Sequence, residues 1–259
     1  MVASNVLATK KILGGKDNKQ ISDERPTYLT PDGKTFAVWG IIYSLLIVTV
    51  LAQASPSAHM EEVLSTRCRL TGLDIRSRLM LAFIANGLWL PVWNNERFWS
   101  GLGIMAVYFG LLLSLYSDLN VGTTEGAYER IAFAAGIAMN TSWIVVALSL
   151  SVFLCSGLAG WKNEHGVAGS VPAAAAVCAI VAALACARAI LACDMAWAFV
   201  AAWALQGIFR MQTVPDAVRF PVGALSPELG KLARFCSIAV AAAMAGGAGL
   251  AVYSRYSKI

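Results

Sequence analysis

Charge is scarce in this sequence. Asp, Glu, Lys and Arg supply only 14% of its 259 residues, 58% are hydrophobic, and the mean hydropathy is +0.65. A soluble domain carries about 25% charge, so this composition excludes a water-soluble fold and implies a multi-span membrane protein. A bundle of about seven apolar helices uses up the length and leaves no room for a soluble catalytic domain. Histidine is nearly missing as well: only His59 and His165 occur, both outside the apolar runs. That argues against haem held between two intramembrane histidines and against zinc on an H-E-x-x-H helix. The cysteines are Cys68, Cys155, Cys178, Cys186, Cys193 and Cys236, with no C-x-x-C pair among them. Most lie in or beside apolar runs, which marks small packing residues rather than a disulfide frame or a metal site. The formal charge of +5 comes without a basic stripe interleaved with aromatics, so nucleic acid is not an expected partner. No long apolar run precedes residue 36, and the tail is neither Arg-rich nor acid-poor. Neither a signal peptide of the usual kind nor a transit peptide is therefore expected.

What is present is a series of apolar runs. Residues 1–35 read as a polar, solvent-facing arm and residues 36–259 as a single bundle. Predicted spans cover 36–54, 79–93, 98–116, 131–158, 171–187, 195–209 and 235–253. The first is roughly 28 Å of helix, which matches a hydrocarbon core of about 30 Å. The fold class is all-α, a polytopic transmembrane helical bundle. The tight joint Asn94-Asn95-Glu96-Arg97 makes the second and third spans an antiparallel hairpin. The fourth span must tilt or protrude, and its small residues around Gly136 admit a close neighbour. Between the fifth and sixth spans only Arg188 and Asp194 mark a break, and they are placed in a short turn as a surface ion pair. A slight excess of Lys and Arg on the arm's side favours the cytoplasm, stroma or matrix for that side.

Aromatic stripes with a few polar handles are the candidates for function. Phe36, Trp39 and Tyr43 fall at i, i+3, i+7, and Asn86, Trp89 and Trp93 repeat the spacing behind an amide. Asn140 and Trp143 lie in the fourth span; Phe199, Trp203, Gln206 and Arg210 form a stripe on the sixth. Large rings give flat contact area to a planar ligand, and an intramembrane amide supplies an orienting hydrogen bond. Trp39, Tyr43, Asn86, Trp89, Asn140, Trp143 and Trp203 are therefore the candidate ligand-binding residues. The structural alternative is helix-to-helix packing, with the amides bonding across the bundle at about 0.6 kcal/mol each and Arg210 snorkelling. Trp93, Trp99 and Trp161 read as interfacial anchors. Residues 250–255 fit a loose L-x-Y-x-R pattern proposed for cholesterol contact, which an interfacial Tyr/Arg pair explains equally well. No nucleophile with a nearby base, paired intramembrane carboxylates or phosphate-cradling loop is seen, so no enzyme activity is expected and no metal site is assigned.

Pro31, Phe36-x-x-Trp39 with Tyr43, and Asn86-x-x-Trp89 together resemble the translocator protein / tryptophan-rich sensory protein family. That family's first helix carries a similar Phe-x-x-Trp…Tyr pattern and its second an Asn-x-x-Trp. The segment from Asp194 to Ile208 resembles the family's extended bacterial relatives. The resemblance implies a helical bundle whose aromatic-lined cavity binds a tetrapyrrole, a sterol or a similar flat apolar ligand. Porphyrin, chlorophyll, carotenoid and sterol are the cofactor candidates, and membrane lipids the accompanying partners. Compact members of the family have five spans and are shorter, so two extra helices here would fill or reshape that cavity. A different class of function is a structural accessory subunit of a photosynthetic or respiratory supercomplex. It would sit in an organellar membrane such as the thylakoid or mitochondrial one, bind other membrane subunits and hold pigment or lipid. A third reading, an alternating-access carrier, calls for charged groups at mid-depth, and the sequence offers few.

Overall fold

The computed structural model describes residues 15–16, 18–214 and 220–256, the last seven by backbone alone. It is helical, and among the described residues only isolated β-bridges occur. The helices are α1 (Asn18–Glu24), α2 (Val38–Ala52), α3 (Ala58–Leu64), α4 (Ile75–Asn94), α5 (Phe98–Asp118), α6 (Gly136–Leu158), α7 (Val171–Ala192), α8 (Met195–Thr213) and α9 (Pro227–Tyr256). A 3-10 turn at Gly33–Ala37 leads into α2; a single turn at Gly126–Glu129 and a wide π turn at Arg130–Ala135 lead into α6.

Among the described residues, five stretches are long and apolar enough to cross a membrane: Gly33–Ala52, Phe98–Asp118, Gly126–Leu158, Val171–Ala192 and Pro227–Gly249. The protein is thus an integral, polytopic helical membrane protein. The other two expected spans are helices too, of 20 residues (α4) and 19 residues (α8). Each is long enough to span, at roughly 30 Å. They are less apolar because α4 carries Arg76, Arg78, Asn86 and Asn94, and α8 carries Gln206, Arg210 and Gln212.

The chain divides into two compact units. The first holds Val38–Ile144 with the segment up to Ile21. Asp74 starts α4 by accepting a hydrogen bond from the Ser77 N–H at 2.7 Å; such a cap contributes about 1 kcal/mol. At the far end the chain reverses through Glu96, whose φ is 58°. α4 and α5 lie antiparallel, with Arg78 reaching Ser114 at one end and Trp93 against Gly101 at the other. Within the same unit Gly136 admits α2: a Cβ there would stand 3.2 Å from Leu45 and Leu46. Because Trp39 also meets Trp143, α2 and α6 run in opposite directions.

The second unit holds Ser22–Ala37 and the chain from Val145 onward. Its central break is the joint between α7 and α8. Arg188 lies inside α7 rather than in a turn, and Asp194 is fully buried rather than at the surface. The helix ends at Cys193, which takes the left-handed conformation (φ 51°) usually given to glycine. Asp194 then caps α8, accepting from the Trp197 N–H at 3.0 Å. α9 runs antiparallel to α8, with Ser237 bonded to the Ala202 carbonyl and Gly230 against Thr213. Gly247 packs on the backbone of Ala189 in α7. The strap before α2 is sewn to two loops: Tyr28 N–H donates to the Ala168 carbonyl, and Asn163 Nδ2 donates to the Tyr28 hydroxyl and the Ala224 carbonyl. Gln212 completes the seam, donating to the Tyr28 carbonyl and accepting from the Ser226 N–H.

Candidate functional site

Six of the seven candidate ligand residues fall in the first unit. On α2, Trp39 and Tyr43 are one helical turn apart, and their rings stack at 5.0 Å with 21° between planes. Trp143 of α6 meets Trp39 edge-on at 6.0 Å and 76°. The geometry leaves Trp39 and Tyr43 half-buried while Trp143 is buried. Three residues before Trp143, Asn140 donates through Nδ2 to the Tyr108 hydroxyl of α5 at 2.5 Å. On α4, Trp89 stacks on Trp93 at 5.4 Å, and Trp93 meets Phe98 edge-on at 5.0 Å.

The amides are the unusual part. Asn86 and Asn140 are each only 1% exposed, yet the Oδ1 of both is buried with no hydrogen-bond partner among the described residues. The indole N–H of Trp89 is in the same condition. A buried polar atom without a partner costs about 1–3 kcal/mol, and lipid offers it no relief. Among the described residues of the first unit, the amide oxygens of Asn18 and Asn94 share this condition; Asn86 and Trp89 lie on α4 with Trp93, and Asn140 lies one turn from Trp143 on α6. Chemically, an unpartnered amide oxygen beside an indole suits a largely apolar molecule with an N–H or O–H to give.

Trp203 belongs to the second unit and has a structural bond of its own. Its Nε1–H donates to the Thr35 carbonyl at 2.8 Å, and Phe199 stacks on it at 6.2 Å. Arg210, further along the stripe, does not snorkel. Its guanidinium holds Asp32 at 3.0 and 2.9 Å, and Thr35 donates its hydroxyl to the same carboxylate. Burial works against ionisation of Asp32, but the bonds from Arg210 and Thr35 outweigh it and hold the carboxyl below its ordinary range. Trp93 is also corrected: at 4% exposure it is not an interfacial anchor. Gly101 has no side chain, so the indole of Trp93 slots against α5, where a Cβ would come within 2.9 Å. Trp99 and Trp161 are exposed, at 61% and 42%. The side chains of the 250–255 pattern lie outside the described residues.

Two polar residues escaped the sequence reading. Tyr108 sits alone in an apolar run, and only its bond to Asn140 gives it a role. Arg78, 1% exposed, spans to α5 through the Ser114 carbonyl and hydroxyl at 2.8 and 2.7 Å and through Asp118 at 2.8 Å. Its signal was an arginine four residues after the capping Asp74, which places it one turn inside the helix. The sequence matches the family described as TSPO-like protein over residues 1–245. No curated protein and no solved structure matches it.

Proposed function

We propose, from the premise that this chain belongs to the TSPO-like protein family, that it binds a flat apolar ligand through the aromatic and amide residues of its first unit. The observation that carries this reading is that the buried amide oxygens of Asn86 and Asn140 have no hydrogen-bond partner among the described residues. The two oxygens accept N–H or O–H groups of the ligand, and the Trp89 indole donates to an acceptor on it. Trp39, Tyr43 and Trp143 supply ring surface. A tetrapyrrole or a sterol meets this description, porphyrin being the simplest probe. The reading involves binding alone, with no bond made or broken.

Asn86→Leu is the discriminating variant. It removes the unsatisfied oxygen while keeping the volume, so thermal stability in detergent holds or rises by about 1 kcal/mol. The porphyrin Kd, read from tryptophan quenching, weakens by about tenfold, the equivalent of one hydrogen bond. A variant that loses stability and keeps its affinity makes Asn86 a packing residue and sinks the proposal. Gel filtration from the native membrane tests the accessory-subunit alternative. A particle many times heavier than 27.5 kDa, carrying pigment or redox centres of other chains, would establish it.

A further inference from the structure

In the second unit a cleft of about 210 Å³ opens where α6 ends. Its apolar wall is Leu154, Gly157 and Leu158 of the last turns of α6, and its polar rim is Glu24, Arg25 and Lys162. The walls are tied together by backbone bonds. Ala168 donates to the Pro26 carbonyl and accepts from the Tyr28 N–H, and Gly157 passes so close to Ala168 that no side chain fits between them. The cleft shares no residue with the ligand site proposed above. It is also smaller than the roughly 300–1,000 Å³ of sites for drug-sized molecules, so a tetrapyrrole does not fit it.

Its place along the chain says what does fit. Residues 159–170 join two apolar stretches, one ending at Leu158 and the next starting at Val171, and Glu24 and Arg25 come shortly before the apolar stretch that begins at Gly33. All of the rim therefore lies outside the hydrocarbon, while Leu154 and Leu158 lie at its edge. Trp161, exposed and packed on Phe153 at 5.2 Å, has the half-wet position that interfacial tryptophans prefer. Two cations above an apolar wall at that depth match a phosphodiester with acyl chains below it.

We infer that this cleft is a headgroup site for an anionic membrane phospholipid, its phosphate held by Arg25 and Lys162 and its acyl chain laid along Leu154 and Leu158. Glu24 accepts hydroxyls of a headgroup such as glycerol and disfavours a second phosphate. The test is native mass spectrometry of the full chain in detergent, with phosphatidylglycerol and phosphatidylcholine of identical acyl chains. The wild type retains one phosphatidylglycerol per chain in preference to phosphatidylcholine. Lys162 is exposed, so Lys162→Glu leaves the fold intact; it lowers retention at least fivefold, as expected from about 1 kcal/mol per interfacial cation, and Lys162→Arg restores it. Soluble glycerol phosphate at millimolar concentration does not displace the lipid. Equal retention of the two lipids, or full retention by Lys162→Glu, overturns the assignment. Displacement by glycerol phosphate makes the cleft a site for a free phosphate instead, and overturns the lipid. Porphyrin affinity is unaffected in every arm, so this test stands apart from that of Asn86.

Discussion

Cys68 shows how a single residue can escape composition-based reasoning. Among six cysteines, most of them in apolar runs, it looked like one more small packing residue. It sits instead in the turn between α3 and α4, where the Ser114 hydroxyl, then the backbone N–H groups of Thr71 and Leu70, stabilise the thiolate and pull its pKa down to about 6. The ordinary thiol value is about 8.5, so at neutral pH this thiol is mostly ionised and the more reactive one. A hydrophilic alkylating agent is expected to consume Cys68 first, with buried Cys155, Cys178 and Cys236 lagging. The rate rises with pH through a midpoint near 6 in the wild type, and Ser114→Ala moves that midpoint upward. An unshifted midpoint in the variant removes Ser114 from the explanation. The amides teach the same lesson: Asn86 and Asn140 were legible as candidates because amides are rare in spans. The Asn140–Tyr108 bond was not, since it joins residues 32 apart with no local pattern.

At the scale of elements, the periodic signals were legible and the punctuation was not. The expected start of α4 at residue 79 fell one turn late because Arg76 and Arg78 look like loop. Asp74, with Ser77 three residues on, was the capping signal that marks the true start. The charges Arg188 and Asp194 mark the neighbourhood of the break between α7 and α8, but the break is a buried joint rather than a surface turn. It needs a left-handed residue, and the sequence uses Cys193 where glycine is the usual choice. That conformation costs a residue with a Cβ about 1–2 kcal/mol. Cys193→Gly is therefore expected to raise stability by about 1 kcal/mol, and Asp194→Ala to lower it by a similar amount through loss of the cap. Thermal unfolding in detergent measures both; a fall in Tm for Cys193→Gly would show that its thiol contact with the Gly247 carbonyl, at 3.8 Å, outweighs the strain.

For the whole molecule, direction of travel decides what hydropathy leaves open. α2 and α6 are antiparallel in the first unit, while α7 and α9 run parallel in the second, with Cys178 beside Cys236 and Ala189 beside Gly247. If only the five apolar stretches crossed, α2 and α6 would point the same way and α7 and α9 opposite ways. Letting α4 and α8 cross as well satisfies both pairs, which makes seven crossings the expected topology. An impermeant maleimide applied to oriented vesicles tests it. With seven crossings, native Cys68 and an introduced His165→Cys are labelled from opposite faces; with five they are labelled from the same face. The aromatic and apolar patterns located the helices in advance, but relative direction resides in contacts between distant segments, which no local pattern records.

The seam that ties the strap to Arg210, Gln212 and Ala224 also sets a timetable for biosynthesis. Asp32 and Arg210 are 178 positions apart. At about 5–20 residues per second of synthesis, the strap leaves the ribosome on the order of ten to forty seconds before the helix that secures it. Until α8 arrives, Asp32, Thr35 and the carbonyl of Tyr28 must be satisfied by water, so the earliest part of this unit is completed by nearly the last. A nascent chain arrested after α7 would already tie Tyr28 to Ala168 and Asn163 but keep the Asp32–Thr35 end of the strap open to protease, and the moment that end becomes protected would report the arrival of α8.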